Sequence, residues 1–168
     1  MGEILVFEHI PHKKILVTGP QRSGTTICAR MIAHDTGFEY IDENRIGVDN
    51  LTLAKMLFES SENFVLQAPA LSRWCHKLNA DLVVFMMRAI SDIEKSQRRI
   101  GWGCEAIELK KYGAHHGPIA QIKYNFWHNR QKAQVKNYLE ANYNDLAGHK
   151  LFEHNRSGFS ARQWRREQ

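Results

Sequence analysis

The sequence predicts a three-layer α/β/α domain built around a mostly parallel five-stranded sheet. Three observations carry this expectation. The continuous apolar runs Ile15–Thr18, Phe64–Gln67 and Leu82–Met87 lack polar alternation, as strands buried on both faces do. Each run is followed by a segment with apolar residues at helical spacing. Strands that alternate with helices need crossover connections, and those connections make the strands parallel. The 168 residues are enough for one such domain with a sizeable core. Residues 1–168 are therefore read as a single domain, with a core of about 14–146 and a C-terminal tail at 147–168.

In chain order, Ile4–Phe7 is a short edge strand and Ile15–Thr18 the central strand. The first helix runs from Thr25 to about Asp35, and Gly37 supplies its C-cap. Phe38–Ile41 alternates and forms the next strand, followed at its C-terminal end by Asp42, Glu43 and Asn44, where ligands bind in open α/β sheets. Asn50–Ser60 carries Leu51, Ala54, Leu57 and Phe58 at helical spacing. Phe64–Gln67 is a strand closed off by Pro69, and a helix spans Ala70–Leu78. Leu82–Met87 is the fourth strand, with a helix from Ile90 through Ser96. The Gly- and His-rich stretch Gly101–Pro118 reads as an insertion or lid. Pro118 then opens a long helix, Ile119 to about Val135, and Tyr138–Tyr143 is the fifth strand. There is no repeat, low-complexity tract or linker.

The formal net charge of +5 suits an anionic ligand such as a nucleotide. Basic residues are scattered, clustering only at Arg98-Arg99, Lys110-Lys111 and Arg162 to Arg166, which argues against nucleic acid as a partner. Cys28, Cys75 and Cys104 form no C-x-x-C pair, so reduced thiols and a cytoplasmic location are expected. No segment reaches the roughly 18 apolar residues of a membrane span, which implies a soluble protein. His115 and His116 have no suitably spaced third ligand, so no metal site is expected.

The stretch from Lys13 to Thr26 organises the chain. After the strand Ile15–Thr18, Gly19 and Gly24 bracket a tight loop, and Thr25 and Thr26 open the first helix. Free N–H groups at that helix start, with its dipole, make an anion site. The spacing matches the phosphate-loop pattern G-x-x-x-x-G-K-[ST] except at the lysine, where Thr25 stands. The strong cation has moved into the loop, to Arg22.

Pro20-Gln21-Arg22-Ser23-Gly24-Thr25-Thr26 after a strand resembles the 5′-phosphosulfate loop of the sulfotransferases. Arg88 at a strand end, with Ser96 eight residues later, resembles that family's grip on a 3′-phosphate. Tyr143-Asn144-Asp145-Leu146 is similar to its Tyr-Glu-Asp-Leu. The likeness spans roughly Lys14 to Leu146. It implies a P-loop fold and a 3′-phosphoadenosine 5′-phosphosulfate (PAPS) donor, with a sulfuryl group passed to a hydroxyl or amine of a small molecule or glycan. It implies that Gly19, Arg22, Ser23, Gly24, Thr25 and Thr26 bind the 5′ side and that Arg88 and Ser96 bind the 3′-phosphate. Arg22 then neutralises the leaving phosphate without a metal ion, and Glu43 is the general base, with Asp42 competing. The lack of a membrane anchor implies a small soluble bacterial or phage-type member.

One position departs from that pattern: Gln67 stands where many members carry lysine, which removes a cation from the reaction centre. Two other readings therefore stay open. One is a nucleotide or metabolite kinase with a degenerate loop, in which Thr26 holds magnesium. The other is a nucleotide-binding module without catalysis. The acceptor is not encoded in any readable motif.

Overall fold

The computed structural model describes residue 7, residues 10–101 and residues 120–152. Its strands are β1 (Lys14–Thr18), β2 (Glu39–Asp42), β3 (Phe64–Gln67), β4 (Leu82–Met87) and β5 (Tyr138–Asn142). They form one sheet in the order β2-β3-β1-β4-β5, and every pairing is parallel. The helices are α1 (Thr25–Thr36), the single turn α2 (Glu43–Ile46), α3 (Leu51–Glu59), α4 (Ile90–Arg99) and α5 (Ala120–Lys132), with 3-10 segments at Pro69–Lys77 and Tyr143–Leu146.

Strand pleating divides the core into two layers. Ile15, Val17, Val65 and Val84 point to one face and pack on Cys28, Ala29, Met31 and Ile32 of α1. Leu16, Leu66, Val83 and Phe85 point to the other and pack on Ala54 and Phe58 of α3 and on Leu71 and Cys75 of the first 3-10 segment. This period-2 partition explains why the centre of β1, Ile15–Val17, is apolar at three successive positions: both its faces are covered. Tyr124 of α5 lies on the α3 side, packs on Ile90 and Ile93 of α4, and donates its hydroxyl to the Met86 carbonyl at 3.1 Å. The fold is thus a three-layer α/β/α sandwich, as expected.

Each of the five strands lies within a residue of its expected position. The structure corrects three elements. The helix expected at Ala70–Leu78 is a 3-10 segment that Pro69 opens and that ends where Leu78 returns to extended backbone. The fifth strand stops at Asn142, because Tyr143 enters a 3-10 turn. The turn α2 was not expected; the Asp42 carboxylate caps it by accepting the Asn44 N–H at 2.9 Å, an Asx turn. Of the proposed edge strand Ile4–Phe7, only Phe7 lies among the described residues, where it is buried. The insertion beyond Gly101 and the tail beyond Phe152, with Cys104, His115 and His116, lie outside them. No helix among the described residues is long and apolar enough to cross a membrane.

Topology decides where a ligand binds. The chain leaves β1 through α1 toward β2 on one side, and leaves β4 through α4 toward β5 on the other. Beside each other in the sheet, β1 and β4 form a switch point, and the crevice opens beyond their C-terminal ends. A cavity of about 370 Å³ lies at the opposite edge, beside Lys13, Asp81 and Lys136. There the Asp81 carboxylate is engaged by the Lys13 and Lys14 amides, closing the turn before β1.

Candidate phosphate-binding site

The loop from Gly19 to Gly24 crosses the top of β1 with three residues at positive φ: Gly19 at 138°, Arg22 at 71° and Gly24 at 104°. Only glycine tolerates the first and last easily. At Gly24 the neighbours forbid a side chain as well: a Cβ there would stand 2.5 Å from Cδ2 of Tyr143. Two hydrogen bonds hold the turn: the Ser23 N–H and the Ser23 hydroxyl both donate to the Pro20 carbonyl, at 3.1 and 2.6 Å. No side chain caps α1, so the amides of its first turn stay open beside the crevice, where the helix dipole favours an anion.

Arg22 is half-buried, and its Nε donates to Ser96 Oγ at 3.2 Å. Burial, and then the neighbouring Arg99 and Arg88 guanidiniums, hold its pKa below the ordinary arginine value. Arg88 donates Nη1 to the Arg22 carbonyl at 2.9 Å and lies 4.0 Å over the Tyr143 ring. No carboxylate among the described residues pairs with Arg22, Arg88 or Arg99 in an ion pair. Among the described residues the crevice thus gathers positive charge, which raises the local concentration of anions.

The structure brings Gly19, Arg22, Ser23, Gly24, Thr25, Thr26, Arg88 and Ser96 into one neighbourhood, from the loop after β1, the start of α1, the residue after β4 and α4. Their engagements differ from those expected: Arg88 and Ser96 bind the loop itself. Thr25, at the lysine position, is buried, and its Oγ1 accepts Gln67 Nε2 at 3.1 Å. The two side chains thus form a neutral, hydrogen-bonded plug between α1 and β3. Thr26 is exposed at the helix start.

Across the sheet, Asp42 pairs in register with Gln67, and Gln67 with Val17. Glu43 accepts the Ala70 N–H at 3.2 Å. Burial pushes the Glu43 carboxyl up; the Ala70 bond opposes this, and Asp42 and Asp49 add to it. Asp42 is occupied structurally, accepting Tyr40 Oη at 3.0 Å as well as capping α2. Tyr143 was missed as a site residue. In the sequence it reads as the end of the fifth strand and the start of a Tyr-Asn-Asp-Leu stretch, and no spacing links it to Gly24.

At the far end of α1, His34, Asp35 and His149 place possible ligand atoms within 4.8 Å of one another. Asp35 there accepts His34 Nδ1 at 2.9 Å, His149 Nε2 at 3.2 Å and the Phe7 N–H at 3.2 Å. The Leu151 N–H donates to His149 Nδ1 at 3.2 Å, which leaves the proton of the neutral ring on Nε2, aimed at Asp35. The arrangement is a hydrogen-bonded clasp between α1 and the segment after β5.

No protein-family model matches the chain, and no curated protein matches it. Its fold is similar to that of a shikimate kinase from Acinetobacter baumannii, solved in complex with shikimate. The TM-score is 0.53 at 16% identity, over 92% of this chain and 98% of that one. It is also similar to a gluconokinase from Sinorhizobium meliloti 1021, with a TM-score of 0.48 at 15% identity over 90% of each chain. The sulfotransferase resemblance is thereby corrected: the matching fold is a kinase's. The PAPS donor, the metal-free chemistry built on Arg22 and the glycan acceptor fall with it. The physical reason is visible at Arg88 and Ser96, whose bonds to Arg22 account for their spacing without a 3′-phosphate.

Proposed function

We propose that the chain is a phosphoryl transferase of the P-loop kinase type, which binds a nucleoside triphosphate and passes a phosphoryl group to the hydroxyl of a small polar acceptor. The observation that carries this is the uncapped start of α1 behind the Gly19–Gly24 loop, set at the β1/β4 switch point beside the Arg22 and Arg88 guanidiniums, with which no carboxylate among the described residues forms an ion pair. The likeness to a shikimate kinase fold supports it, as does that protein's complex with shikimate.

In this reading the α1 amides hold the donor's phosphates. Arg22 supplies, from inside the loop, the charge that lysine supplies in the usual motif. The exposed Thr26 hydroxyl would help hold a magnesium ion, which when bound would neutralise charge on the donor's phosphates. Glu43 fits the general base: its raised pKa brings it toward the range where a carboxylate can take a hydroxyl proton. A second reading, nucleotide binding without catalysis, is favoured by one specific observation: the Thr25–Gln67 plug leaves the lysine position neutral and buried.

Thermal shift and calorimetry with ATP, with and without magnesium, test the proposal, followed by ADP release with a panel of polyols and hydroxy acids. Metal-dependent ATP stabilisation, about 2.7 kcal/mol at a hundredfold excess over Kd, with acceptor-dependent ADP release is the expected result. Binding without turnover on any acceptor points to the second reading. No response to any nucleotide overturns both.

A further inference from the structure

We infer that Arg88 and Tyr143 are positioning residues that set the phosphate loop in its anion-binding conformation before any ligand arrives; this rests on reading the loop as a phosphate site. An amide cradle binds an anion only when its N–H groups face the ligand and its carbonyl dipoles face away. Two loop carbonyls are pinned. Ser23 holds that of Pro20 through its N–H and hydroxyl. Arg88 holds that of Arg22 through Nη1, at 2.9 Å. The second matters more, because Arg22 is a non-glycine residue at φ 71°. Left free, it relaxes toward negative φ, and the Arg22–Ser23 peptide turns with it.

Arg88 is itself aimed. Its guanidinium lies 4.0 Å over the Tyr143 ring, which both attracts the cation and fixes the plane of the fork. Tyr143 is backed by Phe152, ring to ring at 5.4 Å, and fills the space a Gly24 side chain would need. One ring thus seats Gly24 on one side and orients Arg88 on the other. Because Arg88 directly follows β4 and the loop directly follows β1, the clamp converts the pairing of these strands into the loop's shape. It grips the backbone of Arg22 and not its side chain, so an Arg22→Ala protein retains it.

The test is calorimetric titration with magnesium–ATP and with inorganic pyrophosphate, alongside the Gly24 amide resonance of the ligand-free protein. Arg88→Ala is expected to weaken both ligands about tenfold, as loss of one charge-assisted hydrogen bond does, and to shift or broaden the Gly24 resonance. Tyr143→Phe keeps the ring and is expected to match the unmodified protein. Tyr143→Ala is expected to behave like Arg88→Ala, and the double variant to be no weaker than either single one. Arg88→Lys keeps the charge but not the planar fork and is expected to restore less than half of the lost binding energy. If Arg88→Ala does not fold, Arg88→Lys and the Tyr143 pair decide. Tight binding with an unshifted Gly24 resonance in Tyr143→Ala or Arg88→Lys overturns the inference. So do losses that add in the double variant. An unmodified protein that binds neither ligand overturns the phosphate reading itself, and this inference with it.

Discussion

Gly24 is the position with least freedom. It combines φ of 104° with a Tyr143 atom 2.5 Å from any added Cβ. Gly24→Ala must move the ring or the loop, at a cost of roughly 1–3 kcal/mol. The expected result is a lower urea midpoint and, in the phosphoryl-transfer reading, loss of ATP binding; full binding by the variant would mean that the loop tolerates another shape. The Thr25–Gln67 pair is a second residue-scale prediction. Both side chains are buried, so removing one partner leaves the other's polar group unsatisfied, at about 1–3 kcal/mol. Thr25→Val and Gln67→Leu should each destabilise by about that much, and together by less than their sum. An additive double-mutant cycle would show that the hydrogen bond carries no coupling.

Individual elements here begin and end through side-chain chemistry. The Asn50 side chain accepts the Leu53 N–H at 3.1 Å and so starts α3, whose inner face buries Ala54 and Phe58. Asn50→Ala should cost about 0.5–2 kcal/mol, and Asn50→Asp should cost little, as measured by denaturant unfolding. The first 3-10 segment fixes the far wall of the site. Its Ala70 amide orients Glu43, and its Ser72 side chain accepts Gln131 Nε2 of α5 at 3.0 Å. In the phosphoryl-transfer reading, Glu43→Gln should retain ATP binding and reduce turnover by on the order of 10²–10⁴; unchanged turnover would remove Glu43 as the base.

At the scale of the whole molecule, stability should fall on acidification in two stages. His128 is buried against Phe85. Burial pushes its pKa below 6.5; Glu140 opposes this and Lys132 adds to it. In the unfolded chain it takes up a proton near pH 6.5, while the folded form resists it. Below that pH the unfolded state binds more protons, and stability drops as pH falls. At lower pH the carboxylates follow. Burial pushes the Asp35 carboxyl up, but bonds from His34, the Phe7 amide and His149 outweigh it and leave it below its ordinary value of 3.8. Its stabilisation is complete above that value and is lost as pH falls through the lower folded value. Urea unfolding between pH 7.5 and 3 should show both stages. His128→Gln should flatten the first alone; an unchanged slope near pH 6 would assign it to other groups.

The sequence by itself determined the layers and the site's framework. Short runs apolar on both faces, alternating with helical patterns, point to buried parallel strands, and the glycine-bracketed loop between such a run and a helix sits at a strand end. What the sequence could not determine was which groups each polar side chain meets. Arg88 and Ser96, eight residues apart after a strand, are equally suited to grip a ligand's phosphate or to brace the chain's own loop. A local spacing aims both side chains at one point without saying what occupies it. Tertiary structure put Arg22 there, brought Tyr143 across the sheet onto Gly24, and closed Gln67 on Thr25. These contacts join residues far apart in the chain, and each depends on strand order. Periodicity registers burial but carries no information about partners, so they became visible only when β1 lay between β3 and β4.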